Sequence, residues 1–424
     1  MKKDKKNKFP WDLLFLSVYI AFLPVAHVAT VQSVSSVLFV IYVIVKYKHT
    51  FSLEPLKKFK SLWIAFAVYT FLAFLSLFFT PDKIETLKEI KGELLEHLFF
   101  LIIFFFYAIN IDEKRFRQIL GIIFFVLFVH NIINIIIWTK HGGWPFRAGG
   151  FLDTPGGERF GIWITYSLSL AISLFYINKI AAFFLLILSL LSSIANQVRA
   201  TFLGILFVIL FYVFVFNKKL IVKYITSVCI ILAGILFYSF SSKLPPRYNI
   251  KSVLHNLHLV VILPPHEFNK ISIDPSIYER LSMWKSALLY RFKHPFVPQY
   301  FGRFLYKKSI LKEFEGNPQN IPVHLYPQVH NDYIGTLHAL GIFGLITFLY
   351  IFYFKLKISY RLFQLGENIY EKAFGIFVFL GTIGYMMSIM FGSFFGDSEA
   401  RFFFLLYGLL LGKFYHLDKK EEVV

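Results

Sequence analysis

The sequence of 424 residues contains one cysteine, Cys229, so no intramolecular disulfide can form, although one long segment reads as facing an oxidising space. Cys229 falls inside an apolar run, where a buried structural thiol is expected. Charge is scarce too: 16% of residues are Asp, Glu, Lys or Arg, against a hydrophobic share of 57%. Soluble domains carry about 25% charged residues. With a mean hydropathy of +0.62, the chain is excluded from that class. Acidic residues are the scarcer sign, 25 against 44 Lys and Arg, for a net charge of +19. The basic residues form no stripe, which excludes nucleic acid as a partner. No internal repeat or low-complexity segment is present.

What is abundant is apolar length. Phe alone contributes 54 residues, suited to lipid-facing and inter-helix surfaces. Apolar runs of about 18 or more residues recur along the chain, and each can cross a bilayer as a helix. The runs are 11–31, 33–47, 61–80, 96–111, 118–139, 160–177, 180–198, 200–217, 220–240, 331–354, 371–391 and 401–415. The expected architecture is an all-α polytopic membrane protein with about twelve transmembrane helices. It divides into 1–240 with nine spans, 241–330 as a large outer loop of short helices, and 331–424 with three spans and a tail. The basic run Lys2–Lys8 ahead of the first apolar stretch reads as a signal anchor, because that stretch is long and lacks a small-residue cleavage site.

Charge sets the orientation. With the N-terminus inside, the short inner segments, 355–372 among them, hold 24 Lys and Arg and the short outer loops 8, while the other 12 lie in 241–329. That bias obeys the positive-inside rule and places both termini in the cytoplasm of a multi-pass membrane protein. Most of the net charge is then topology and contact with anionic membrane lipids.

The chemically distinctive residues fall on the outer face. His330-Asn331-Asp332 opens an apolar segment directly after the long polar stretch, putting a titratable imidazole at the boundary of water and lipid. The loop from His141 to Arg159 is rich in glycine, which suits either close backbone approach to phosphate oxygens or a plain turn between helices. Arg147 lies in it. Arg199 stands in a very short outer turn, where a guanidinium either faces an anion or snorkels to the interface. In the long segment, Ser276-Ile277-Tyr278-Glu279 has the form of a capping box. Arg280 follows near that helix's positive end, as an anion ligand or a solvated side chain. Ile277, Leu281, Trp284 and Leu288 recur at helical spacing, and Trp284 is expected to pack. Asp397-Ser398-Glu399 has the spacing of a metal or acid–base pair, but Arg401 beside it favours an ion pair. Asp82–His97 is amphipathic and is expected to lie on the membrane surface.

Several of these residues resemble the bacterial O-antigen ligase and polymerase superfamily of membrane glycosyltransferases. Arg199 to Leu203 matches an R-x3-L pattern of O-antigen ligases, and His330 to Gly341 matches their H-x10-G. Arg147-Ala148-Gly149-Gly150-Phe151 and Arg280-x3-Trp284, leading to His294-Pro295-Phe296, are similar to further elements of the superfamily. Where relatives carry a Gly-x-Gly turn, this chain has Val297-Pro298-Gln299-Tyr300-Phe301-Gly302. The resemblance spans about residues 140–415 and implies a GT-C-like fold with a large periplasmic loop. It implies transfer of a glycan from an undecaprenyl-diphosphate carrier to the lipid A core at the periplasmic face, inverting and without a metal or cofactor. The first outer turn, His27 to Gln32, has no acid, in keeping with that. Arg199, Arg280 and Arg147 would hold the diphosphate and His330 would be the general base. Asn331 and Asp332 would orient the imidazole or the acceptor. A polysaccharide polymerase remains the alternative. A transporter is the remote one, because its ionisable groups would sit at mid-membrane.

Overall fold

The computed structural model describes residues 9–153, 157–240, 250–271 and 273–421. The basic run Lys2–Lys8, residues 154–156 of the glycine-rich loop and residues 241–249 of the long segment lie outside the described residues. The fold is all-α: hydrocarbon offers the backbone no partners, so each segment must satisfy its own N–H and C=O groups. Among the described residues the β pairing is one isolated bridge, Val25 with Phe151.

The first part comprises α1 (Trp11–Phe22), α2 (Ala29–Thr50), α3 (Lys60–Phe78), α4 (Lys83–Asn110), α5 (Glu113–Lys140) and α6 (Glu158–Leu174). It continues through α7 (Lys179–Asn196), α8 (Arg199–Phe216) and α9 (Leu220–Phe240). The loop region holds α10 (Ile250–Ile262), α11 (Pro275–Lys293) and α12 (Tyr306–Glu313). The last part is α13 (Asp332–Leu365), α14 (Ile369–Ser388) and α15 (Ser398–Glu421).

Every apolar run of the sequence is helical, yet 8 helices are long and apolar enough to cross a membrane: α2 to α5, α7, α8, α13 and α14. The others fall short for local reasons. Helix α1 has only 12 residues and α6 only 17, α9 qualifies as a shorter apolar helix over Leu220–Ile235, and α15 carries Glu399, Arg401 and Lys413.

Three expectations change. Asp82–His97 belongs to the continuous helix α4, with a π-helical stretch at Ile90–Leu95, and Glu93 of this outer extension pairs with Arg303 of the loop region. Its acids Glu89 and Glu93 therefore meet protein, while Lys88 and Lys91 stay exposed. Cys229 is exposed, because α9 stands at the bundle's edge with most of its residues outward. Lys355 lies in the core and not in a surface segment: it is wholly buried, donates to the Phe403 carbonyl at 2.8 Å and sits 3.3 Å from that ring's centroid.

Two cores hold the molecule. The bundle core is strongly aromatic, with Phe348 and Phe395 rings 4.9 Å apart and Phe352 and Phe403 5.0 Å apart, spacings at which ring pairs attract. A separate small core, including Met283, Tyr290, Tyr306 and Phe314, holds the loop region together.

The loop region docks onto α13 where that helix breaks. Gly341 has φ 74° and ψ −171° inside α13, a conformation that L side chains rarely adopt. A Cβ there would stand 2.8 Å from the Pro295 carbonyl. The break frees backbone groups that the loop region takes up. Ile342 N–H donates to Pro295 O at 3.0 Å, Gln299 N–H to Ala339 O at 2.7 Å, and Arg291 to the His338 carbonyl. This gives the glycine of H-x10-G and the His294-Pro295-Phe296 stretch one physical explanation. The departing stretch after Pro295 keeps the dock through Gln299 and turns at Gly302, φ 100°.

Candidate functional site

Asn196 sets the position of the site, because its amide ties two segments together. It donates to Ala148 O at 3.0 Å and Gly157 O at 2.6 Å, while its oxygen accepts from Thr201 Oγ1 at 2.8 Å. Gln197 follows at φ 55° and donates to Phe146 O at 2.8 Å. The glycine-rich loop is thus strapped to the turn that carries Arg199. Four of its glycines are structural: Gly142, Gly143 and Gly157 N–H groups bond to the carbonyls of Thr139, Trp138 and Asp153, and Gly150 N–H to Asn134 Oδ1 at 2.9 Å. Those donors are spent within the protein, so the phosphate-cradle reading of this loop gives way to the turn. Burial of Asp153 in the loop pushes its carboxyl up to about 6.

Above that turn lies α11. Its N-cap is Asp274, whose side chain accepts from Ser276 N–H at 3.0 Å, with Pro275 at the first helical position. The helix therefore opens before the Ser276–Glu279 box inferred from sequence. The start suits Pro, whose missing N–H is unneeded there.

Between these parts is a cavity of about 630 Å³. Arg147, Arg199 and Arg280 all line it, as do Glu158 and Asp274. Arg147 is exposed at the rim. Arg199, 36% exposed, donates to Ser276 Oγ at 2.7 Å and stands 3.6 Å from Asp274 Oδ1. Arg280, 21% exposed, donates to Glu158 Oε1 at 2.9 Å. Three guanidiniums against two carboxylates leave the pocket one positive charge in excess. One wall is apolar, with Leu203, Ile277, Leu281 and Phe394. Trp284 lines it too and also donates to Val329 O at 3.1 Å, so it both packs and faces the cavity.

His330 stands beside this cavity. Val329 next to it is held by Trp284, and His330 itself has φ 53°, a left-handed conformation uncommon outside glycine. Its ring meets the Tyr326 ring edge-on at 5.6 Å. Burial holds the imidazole below its ordinary pKa of 6.5, and the Arg280 charge pushes the same way, while Glu158 and Glu279 oppose it. A neutral imidazole near neutral pH is the form that accepts a proton.

Asn331 and Asp332 serve the backbone. Asn331 caps α13, accepting from Ile334 N–H at 2.9 Å. Asp332 Oδ2 accepts from the Phe394 and Phe395 N–H groups at 3.0 and 3.1 Å. Both contacts hold the His330 turn in place.

Behind the cavity runs a buried ionic network. Arg303 grips Asp397 through two bonds of 2.6 and 2.7 Å and lies 3.0 Å from Glu93, near but poorly aligned for a hydrogen bond. Arg159 donates to Ser398 at 3.0 Å and to Glu399, itself wholly buried, at 3.2 Å. Asp397 and Glu399 are therefore ion-paired as expected, but to Arg303 and Arg159. Arg401 instead reaches Glu96 at 3.0 Å and Gln32 at 3.1 Å, because the turn at 389–397 points Asp397 toward the loop region. The network joins Arg159, next to Glu158, to the segment carrying Phe394.

Glu158, Asp274, Asn196 and Arg303 were not singled out by sequence reasoning. Only Glu158 gave a signal, a charged residue opening a helix after two glycines.

Residues 184–349 match the sequence model of the family described as O-Antigen ligase. The matched stretch runs from α7 into α13 and contains Arg199, Arg280, His330 and Gly341. No curated protein matches the chain. The likeness to the O-antigen ligase family is a property of that matched stretch.

Proposed function

We propose that this protein is an O-antigen ligase, a glycosyltransferase that moves a glycan from an undecaprenyl-diphosphate carrier to a hydroxyl of the lipid A core at the periplasmic face of the inner membrane. The observation that carries this reading is the convergence of Arg147, Arg199 and Arg280, from three separate stretches, on one cavity beside His330. In this reading both termini are cytoplasmic, the helices over all twelve apolar runs count as spans, and 241–330 is a periplasmic domain over the site.

The acceptor oxygen attacks the anomeric carbon as the carbon–oxygen bond to the diphosphate breaks. The acceptor proton passes to His330, and the bonding electrons leave on the lipid diphosphate. Displacement from the opposite side inverts the anomeric centre. Negative charge grows on the leaving group, where the arginines meet it, each offering paired donors in a poorly hydrated site. Neutral His330 supplies the base, a contribution of about 10²- to 10⁴-fold. The apolar wall takes the polyprenyl end.

The diphosphate must exchange with carboxylates already present. Glu158 and Asp274 hold Arg280 and Arg199 at the cavity wall, and a doubly charged diphosphate replaces them by offering more acceptor oxygens per guanidinium.

The test is reconstitution of the purified protein with undecaprenyl-diphosphate-linked O-antigen, with and without lipid A core, in EDTA. Product only with core, lost in His330→Ala, is the expected result. Longer glycan on the carrier without core identifies a polymerase. Turnover abolished by EDTA overturns the arginine-only mechanism.

A further inference from the structure

At the far end of the bundle from this cavity, α1 and α2 leave a groove of about 590 Å³ between them. One wall is an aromatic ladder: Phe9 and Trp11 rings lie 4.7 Å apart and Trp11 and Phe15 rings 5.8 Å apart. The facing wall is aliphatic, including Ile41, 52% exposed, and Val45, 69% exposed. The groove is closed at one end by two cations, Lys46 and Arg115. Lys46 Nζ bonds to Tyr42 Oη at 2.8 Å and sits 5.0 Å from both the Tyr42 and Tyr47 ring centroids. That arrangement fixes a flexible side chain at the groove's mouth.

Arg115 has a partner of its own, since its Nε lies 3.4 Å from Asp12 Oδ2. Asp12 faces inward, wholly buried, and accepts from Tyr107 Oη at 2.9 Å. The two cations against this one acid leave one positive charge in excess at the end of an apolar channel.

A ligand matching both features must be amphiphilic, with acyl chains against the ladder and a net negative head at Lys46 and Arg115. A zwitterionic head would bring its own cation against theirs. We propose that the α1–α2 groove is a binding site for one anionic glycerophospholipid, its phosphate held between Lys46 and Arg115. Trp11 and Tyr42, amphipathic rings suited to the headgroup level, mark the depth of that boundary.

The experiment uses the full-length protein in phosphatidylcholine nanodiscs, doped with phosphatidylglycerol or phosphatidylcholine brominated in the acyl chains. The readout is the Trp11 fluorescence, obtained as the difference between wild type and Trp11→Phe. Brominated phosphatidylglycerol is expected to quench at severalfold lower mole fraction than brominated phosphatidylcholine. Lys46→Gln should reduce that preference about fivefold, the equivalent of about 1 kcal/mol per cation near an anionic lipid. Lys46 is exposed, so its replacement leaves the fold intact, as a matching melting temperature would verify. Equal quenching by the two lipids, or an unchanged preference in Lys46→Gln, overturns the proposal.

Discussion

Two sets of arginine–carboxylate pairs lie close together in this protein and are used in opposite ways. In the cavity, Arg199 and Arg280 each meet their acid through a single guanidinium nitrogen. Behind it, Arg303 is 17% exposed, bonds Asp397 through both Nη atoms and adds a carbonyl bond to Ser393. The chemistry of the side chains is the same; what differs is the number of bonds and the water reaching one member of each pair, Arg199 being 36% and Glu158 40% exposed against 17% and 20% for Arg303 and Asp397. An exposed, single-sided pair contributes roughly 0–1 kcal/mol and exchanges readily. A buried, many-bonded pair is structural, because removing one member strands the other in low dielectric. The difference shows which guanidiniums are available to a substrate.

Breaking the buried set should have the largest effect. Arg303→Ala leaves Glu93 without its cation and Asp397 with only the more distant Arg159, 3.6 Å away, and a loss of about 3–5 kcal/mol is expected, seen as a collapse of the melting temperature and of folded yield. Arg199→Ala or Arg280→Ala should do the reverse: little change in melting temperature and a loss of about 10²- to 10³-fold in turnover. Equal melting losses in all three variants would erase the distinction.

The pH dependence sharpens it further. His330 is held below its ordinary pKa of 6.5, so it stays neutral and active as pH falls to that value, and the acidic limb of kcat/KM should have its midpoint below 6.5. Glu158 acts against that depression, so Glu158→Gln should move the limb to still lower pH. A limb that does not move would separate Glu158 from the base.

The smallest effect contrasts two aspartates. Burial alone would raise Asp397, but the bonds and charge of Arg303 outweigh it and hold the carboxyl below the usual range. Its contribution is present at neutral pH and is lost on acidification through that lowered value. Asp153 is raised to about 6, so its contribution is full below its unfolded value of 3.8 and is lost as pH rises through about 6. Asp397→Asn should therefore destabilise at neutral pH, whereas Asp153→Asn should be neutral or raise the melting temperature by a few degrees, a gain that fades below pH 4.

How much of this was legible beforehand depends on distance along the chain. The arginines and His330 stood out because a charge at the edge of an apolar run is unusual wherever the run folds. Asn331 and Asp332 stood out for the same reason, and only the folded chain shows the cap at Ile334 and the bonds to Phe394 and Phe395 through which they hold the turn. Glu158 and Arg280 are 122 positions apart, and Arg199 and Ser276 are 77 apart. No local pattern couples such pairs. Arg401 was matched to its nearest acids in sequence, yet the turn before it sends Asp397 to Arg303.

The sequence by itself determined that this is an all-helical chain with runs suited to a membrane, because hydropathy and backbone satisfaction act segment by segment. It also determined which residue types are available for anion binding and proton transfer. Only the tertiary structure decided that three arginines share one cavity, that the glycines near 150 form a turn, and that Gly341 is where the loop region docks. Those outcomes depend on which segments pack together, and packing is a property of pairs of surfaces that neither segment encodes alone.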